Sequence, residues 1–141
     1  MKSCREQSIG LLLTEICKLR RNRSNALLAD TGLHAGQDSL LYHLGQEDGQ
    51  TVSALVEKIC IQHATIFNMI DRMEASGMIR KEKDGADRRI SRVYLTEQGR
   101  KALGSIGVIW KTLEAETTKG LSATQESQLR TLLQAVLKNL E

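Results

Sequence analysis

The sequence predicts a mainly α-helical domain with one small β-hairpin, on three observations. Apolar residues recur at helical spacing near both ends, from Ile9 to Leu28 and from Leu129 to Leu140. No proline occurs among the 141 residues, so that helix-breaker is missing and turns fall to glycine, asparagine and aspartate. One segment, Asp84–Gly99, leaves the helical period and alternates instead, with Ile90, Arg92 and Tyr94 on one side and Ser91, Val93 and Leu95 on the other.

The elements follow in chain order. Ile9, Leu12, Leu13, Ile16 and Leu19 make one face of a long first helix, which resumes at Leu27 and Leu28 after the basic stretch Lys18, Arg20, Arg21 and Arg23. A short helix after Gln37 carries Leu40, Leu41 and Leu44 and ends near Gly45 or Gly49, with Glu47-Asp48-Gly49 as a turn. Thr51 can cap a third helix running to about Lys58, with Leu55 and Ile59 inward. A break at Ile61-Gln62 leads into a helix from about His63 to Ser76, whose buried face is Ile66, Met69, Ile70 and Met73. Gly77 is placed to end it in the left-handed region, and Met78 to Lys83 reads as the outgoing hairpin strand. A helix-turn-helix followed at once by a two-stranded hairpin is a winged helix. A helix started by threonine follows the hairpin, and between Gly99 and Gly120 helical spacing continues through Leu103, Ile106, Ile109, Trp110 and Leu113. The last helix opens with Ser122 and Gln125, the spacing of a capping box, and carries a wide stripe of Leu129, Leu132, Leu133, Val136, Leu137 and Leu140 that has to bury against something.

Composition narrows the functional classes. The length suits one buried core, so residues 1–141 read as a single domain, and a second copy of the chain can complete the apolar stripes of its end helices. An apolar fraction of 40% and a charged fraction of 26% argue for a folded globular protein. Leu11-Leu12-Leu13 is interrupted too soon by Thr14 and Glu15 for a signal peptide or membrane helix, so the expected location is the cytoplasm. Cys4, Cys17 and Cys60 suggest neither a disulfide framework nor a zinc site, and reduced thiols are expected. The net charge of +3 is unevenly placed: the first 30 residues hold six basic against three acidic groups and residues 71–101 nine against six, whereas 31–70 are acidic. Positive charge is therefore concentrated in the first helix and around the hairpin.

In a winged helix the second helix of the pair presents its N-terminal turn and outer surface to DNA. Here that surface comprises Gln62, His63, Ala64, Thr65, Phe67, Asn68 and Arg72. Asn68 can pair with adenine through two hydrogen bonds, Thr65 can reach a base edge or phosphate, and Ala64 or Phe67 can meet a thymine methyl; for Phe67, packing inside the fold is the favoured role. In the wing, Asp87 and Arg89 lie two apart and are expected to project to the same side of an extended segment, the carboxylate orienting a guanidinium that enters the minor groove. Arg80, Lys81, Lys83, Arg88 and Arg92 are expected to grip phosphates.

These segments resemble the MarR family of bacterial transcription regulators. The residues that carry the resemblance are Thr51-Val-Ser-Ala-Leu55, the run Ala64 to Glu74, Gly77-Met-Ile-Arg80, Asp84-Gly-Ala-Asp-Arg-Arg89 and Leu95-Thr-Glu-Gln-Gly99, within roughly residues 33–100. The resemblance implies a winged-helix lobe over 33–98, a dimerisation region formed by 1–32 and 99–141, and a homodimer on a pseudo-palindromic operator in double-stranded DNA. It also implies a repressor that is released by a small ligand or by oxidation. It gives Asp87 and Arg89 the family's groove-inserting role and places Thr65 and Asn68 on its recognition helix. Two positions depart from the family's pattern: Gly85-Ala86 stands where a proline commonly follows the first aspartate, and Asn68 where a basic residue is frequent.

An effector of the aromatic-acid kind would enter apolar space between the dimerisation helices and the DNA-binding lobe, with Arg20, Arg21 or Arg23 as candidates for its carboxylate. The rival oxidation route needs an accessible thiolate; buried structural cysteines are the expectation here. No cofactor is implied. There is no phosphate-binding glycine loop or nucleophile elbow, and His34, His43 and His63 lack metal-ligand spacing, so an enzyme is not expected. A winged helix that binds another protein instead of DNA is the remaining alternative; it predicts no salt-dependent duplex binding.

Overall fold

The computed structural model describes residues 8–59, Ile61 and residues 63–141, the side chain of His63 excepted; Cys4, Cys60 and Gln62 lie outside the described residues. The elements run α1 (Ile9–Leu28), α2 (Gln37–Gln46), β1 (Gln50–Thr51), α3 (Val52–Lys58), α4 (His63–Ala75), β2 (Ile79–Lys83), β3 (Ser91–Leu95), α5 (Glu97–Thr117) and α6 (Ala123–Leu140). Hydroxyl side chains start four of the helices by accepting backbone amides that have no helical partner. Ser8 accepts from Leu11 N at 3.1 Å, Thr51 from Ala54 N at 3.1 Å and Thr96 from Gly99 N at 3.1 Å. Ser122 accepts from Gln125 N at 3.2 Å while the Gln125 side chain accepts from Ser122 N at 2.9 Å, the reciprocal box that the spacing predicted.

Gly77 ends α4 as expected, at φ 82°. Its N–H donates to Glu74 O at 3.0 Å and that of Met78 to Met73 O at 3.0 Å, the paired bonds of a Schellman turn. The chain thereby reverses directly into β2, which leaves little slack between the helix and the wing.

The sheet differs from the sequence expectation. The hairpin β2–β3 pairs antiparallel from Ile79 opposite Leu95 to Lys83 opposite Ser91, but a third strand lies beyond it, in the order β1-β3-β2. Gln50 and Thr51 pair with Val93 and Arg92. Two residues cannot display an alternation, and Thr51 already serves as the cap of α3, so this strand left no pattern of its own.

Leu28, Leu40, Leu41, Leu44, Leu55, Ile66, Ile70, Met73, Ile79, Val93 and Ile106 are buried together, so one core joins the end of α1, the helix-turn-helix, the inner face of the sheet and α5. The face predicted for α4 is the face that is buried. Gly99 lies inside the first turn of α5, where a Cβ would sit 2.1 Å from Met78 O, so α5 meets the α4–β2 turn backbone to backbone. The end helices are otherwise bare: α6 buries none of its residues, with Leu132 64% and Leu140 80% exposed, and Ile9, Ile16 and Leu19 of α1 are exposed too. No helix of the described residues is long and apolar enough to cross a membrane.

Candidate nucleic-acid interface

The outer surface of α4 is set by the burial of Ile66, Met69, Ile70 and Met73, which turns Ala64, Thr65, Phe67, Asn68, Asp71 and Arg72 outward. Phe67 corrects the packing expectation: it is 53% exposed, because helical spacing puts it to one side of the core-facing stripe. It borders a groove of about 590 Å³ between α3, α4 and the wing, also lined by Val52, Val56, Arg89 and Ile90. Two outward carboxylates also line it, those of Glu57 and Asp71, and Asp71 accepts from Lys81 Nζ at 2.8 Å. The ammonium, drawn also to Glu74 at 3.7 Å, is held protonated above its usual range, first by its hydrogen bond to Asp71.

The wing tip is a turn, not the extended segment expected from the spacing. Asp84 N donates to Ile90 O at 2.9 Å and Ile90 N to Asp87 O at 3.0 Å. Two aspartates build it by accepting amides a few residues ahead: Asp84 Oδ2 takes Ala86 N at 3.2 Å and Asp87 N at 3.0 Å, and Asp87 Oδ1 takes Arg89 N at 3.0 Å. The expected pair nonetheless forms within this turn, Arg89 Nε and Nη2 donating to the two Asp87 oxygens at 3.1 and 3.0 Å. The Arg89 side chain stays 90% exposed, a cation aimed outward on a braced stalk. Arg89 holds the Asp87 carboxyl below its usual range, first through its side chain and then through its amide.

Other cations have closer engagements. Arg92 donates from Nε to Asp84 Oδ1 at 2.6 Å and from Nη1 to Gly49 O at 2.9 Å, which ties the base of the wing to the α2–β1 turn. That guanidinium, followed by the amides of Asp87 and Ala86, holds Asp84 below the carboxylate range. Arg80 lies over the Tyr94 ring, 4.6 Å from its centre, and pairs with Glu82. Lys83 and Arg88 are exposed on the strand end and the tip. Sequence reasoning missed Asp84, and also Asp48, which accepts from Leu95 N at 2.9 Å and from Arg100 Nη2 at 2.8 Å. Both stand beside a glycine in a turn, a signal for bend geometry that says nothing of which distant arginine arrives.

On the opposite side of α4 a cavity of about 640 Å³ lies between α1 and the DNA-facing lobe, bordered by Arg20, Arg21, Asp38, Thr65, Met69 and Leu113. Two of the three arginines named from sequence therefore border it. Arg23 does not: its Nε and Nη2 donate to the two Glu116 oxygens at 2.7 Å each, fastening α1 to α5. Cys17 lines the same cavity and is exposed, against the expectation of a buried thiol.

The sequence model of the MarR family matches residues 33–91, the span from the start of α2 to the wing. Over 101 residues, 72% of this chain and 75% of the relative, the chain is 30% identical to the transcriptional regulator HosA of Escherichia coli O127:H6 (strain E2348/69 / EPEC). The chain belongs to the MarR family. As a MarR-family protein it is a DNA-binding transcription regulator. Solved structures agree on the fold. A mutant MarR from E. coli, complexed with operator DNA, superposes with a TM-score of 0.83 at 23% identity, over 92% of this chain and 93% of that one. BpsR of Bordetella bronchiseptica, whose DNA binding is regulated by 6-hydroxynicotinic acid, gives 0.83 at 24% identity over the same shares.

Proposed function

We propose that this MarR-family protein acts in the cytoplasm as a homodimeric repressor on a pseudo-palindromic operator and is released by a small aromatic acid. In this reading residues 33–98 form the DNA-binding lobe, and residues 1–32 and 99–141 the dimerisation region. The recognition helix α4 enters the major groove with Ala64, Thr65, Phe67, Asn68 and Arg72, joined by Gln62 and His63 at its start. Arg89, braced by Asp87, enters the minor groove, while Arg80, Lys81, Lys83 and Arg88 lie toward phosphates; Arg92 holds the wing in place. The observation that carries the reading is Arg89: an almost wholly exposed guanidinium gripped by two oxygens of one carboxylate at the tip of a braced turn.

The bare leucines of α6 and the apolar face of α1 support the homodimer, since monomers seldom leave such stripes uncovered. Two-fold pairing would set the two α4 helices one helical turn of DNA apart, roughly 34–36 Å. The cavity beside Arg20 and Arg21 supports the effector: it offers apolar walls with guanidinium groups at the rim, and Thr65 and Met69 of the recognition helix line it. A ligand seated there would press on the element that reads DNA. The aromatic acid that regulates BpsR is in keeping with this chemistry.

The test is duplex selection from random DNA, followed by titration at several salt concentrations and sedimentation of the complex. A dimer whose affinity falls steeply with salt is expected, because each phosphate contact releases counterions. A monomer retaining full operator affinity, or binding indifferent to salt, would overturn the reading. Aromatic carboxylates such as salicylate should then release the bound duplex, and Arg20→Ala or Arg21→Ala should raise the concentration they need.

A further inference from the structure

The recognition helix carries an unusual set of side chains for a DNA reader. From His63 to Asp71 it contains no lysine or arginine, the residues that read guanine most often, and its single arginine, Arg72, comes in its second half. In their place stand Ala64, Phe67 and Asn68, spaced i, i+3 and i+4 and thus on one face, all exposed. Leaving an aromatic ring 53% exposed forgoes the apolar burial that stabilises the rest of the fold, and none of the described residues covers it further. The surroundings indicate what does. Lys81 neutralises Asp71 on the same face, and Arg89, whose side chain is 90% exposed, lines the same groove together with Glu57, so an outward-pointing cation suited to a polyanion borders the ring. Within a major groove the apolar projection available to it is the C5 methyl of thymine.

We propose that Phe67 is a specificity-determining residue that reads thymine methyl groups, with Ala64 beside it and the Asn68 amide taking the edge of an adjacent or paired adenine. The operator half-site under α4 is then selected for A·T pairs by apolar contact, and guanine is not its anchor. This rests on the DNA-binding reading above. It goes further in assigning the base class, and does so through a side chain that the fold has left uncovered.

Deoxyuridine differs from thymidine only by that methyl. Full-length protein selects a duplex from a random pool, and each thymine of the half-site is then replaced singly by deoxyuridine. At one or two positions under α4 the affinity should fall about fourfold per methyl, the effect of leaving one methyl-sized apolar group unburied. In Phe67→Ala the same replacements should cost nothing, while the salt dependence of binding stays that of the parent, which shows that the variant is folded and still on DNA. Three results overturn the inference: a selected half-site without thymine under α4, indifference of the parent protein to every replacement, or a penalty that persists undiminished in Phe67→Ala. Failure to bind any duplex in a salt-dependent way would instead strike the DNA-binding reading beneath it, and the two failures are told apart by the salt titration alone.

Discussion

Arg92 Nε lies 2.6 Å from Asp84 Oδ1 across the base of the wing, and the same guanidinium reaches the Gly49 carbonyl oxygen at 2.9 Å. Asp84 also accepts the amides of Ala86 and Asp87, so one arginine connects the turn that carries Arg89 to the body of the lobe. Arg92 therefore positions the wing, while Arg89 projects from it.

Separate substitutions should divide the two functions. Arg92→Ala removes the tie, so amide exchange at Ala86, Asp87 and Ile90 should accelerate and DNA binding weaken, with Arg92→Lys restoring only part of each. Arg89→Ala should weaken binding by roughly tenfold or more while the Asp84 turn keeps its exchange protection. Equal exchange behaviour in the two variants would remove the division.

Acid should loosen the wing before neutral conditions do. The carboxyls of Asp84 and Asp87 are held below their ordinary value of 3.8, by Arg92 and Arg89 respectively. A carboxylate depressed in the folded state contributes stability that is complete above the ordinary value and disappears as pH falls through the depressed one. Wing order should thus be constant from pH 5 upward, with NMR titration midpoints for both residues below 3.8. A midpoint at or above that value would contradict the hydrogen bonds described.

Gly99→Ala places a methyl 2.1 Å from Met78 O, a backbone atom that cannot rotate away. A loss of about 1–3 kcal/mol in chemical denaturation is expected, as for other overpacked sites. Gly104→Ala, in the same helix with nothing within 4 Å, should stabilise by about 0.5–1 kcal/mol through helix propensity. Similar effects from the two would show that α5 does not dock as closely as described.

Trp110 ties α5 to α2 by donating Nε1 to Asp38 Oδ2 at 2.7 Å, and Asp38 is only 7% exposed. Trp110→Phe keeps most of the ring and strands that oxygen, a cost of about 1–3 kcal/mol. Combining it with Asp38→Asn should cost less than the two changes summed, because they remove one shared interaction. Strict additivity would mean that the bond contributes nothing.

Local chemistry was well legible in this chain. Hydroxyl caps at Thr51, Thr96 and Ser122, the left-handed Gly77 and the inward face Ile66, Met69, Ile70 and Met73 each depend on residues within a few positions of one another. The Asp87–Arg89 pair was foreseen for the wrong reason: spacing suggested a strand, whereas the aspartate side chains fold the segment into a turn that brings the same groups together. Strand β1 escaped because two residues carry no period.

From the sequence by itself came the helix-turn-helix, the wing, their order and the residues proposed to meet DNA, since caps, turns and amphipathic periods act over one or two helical turns. The tertiary structure decided which of those residues are free to act. Arg92 is taken up by Asp84 and Gly49, 8 and 43 residues away, and Arg23 by Glu116, 93 residues away, while Phe67 and Arg89 are left exposed. Charge and apolarity are properties of a residue; whether a fold has already satisfied them depends on neighbours that only the folded chain brings within reach.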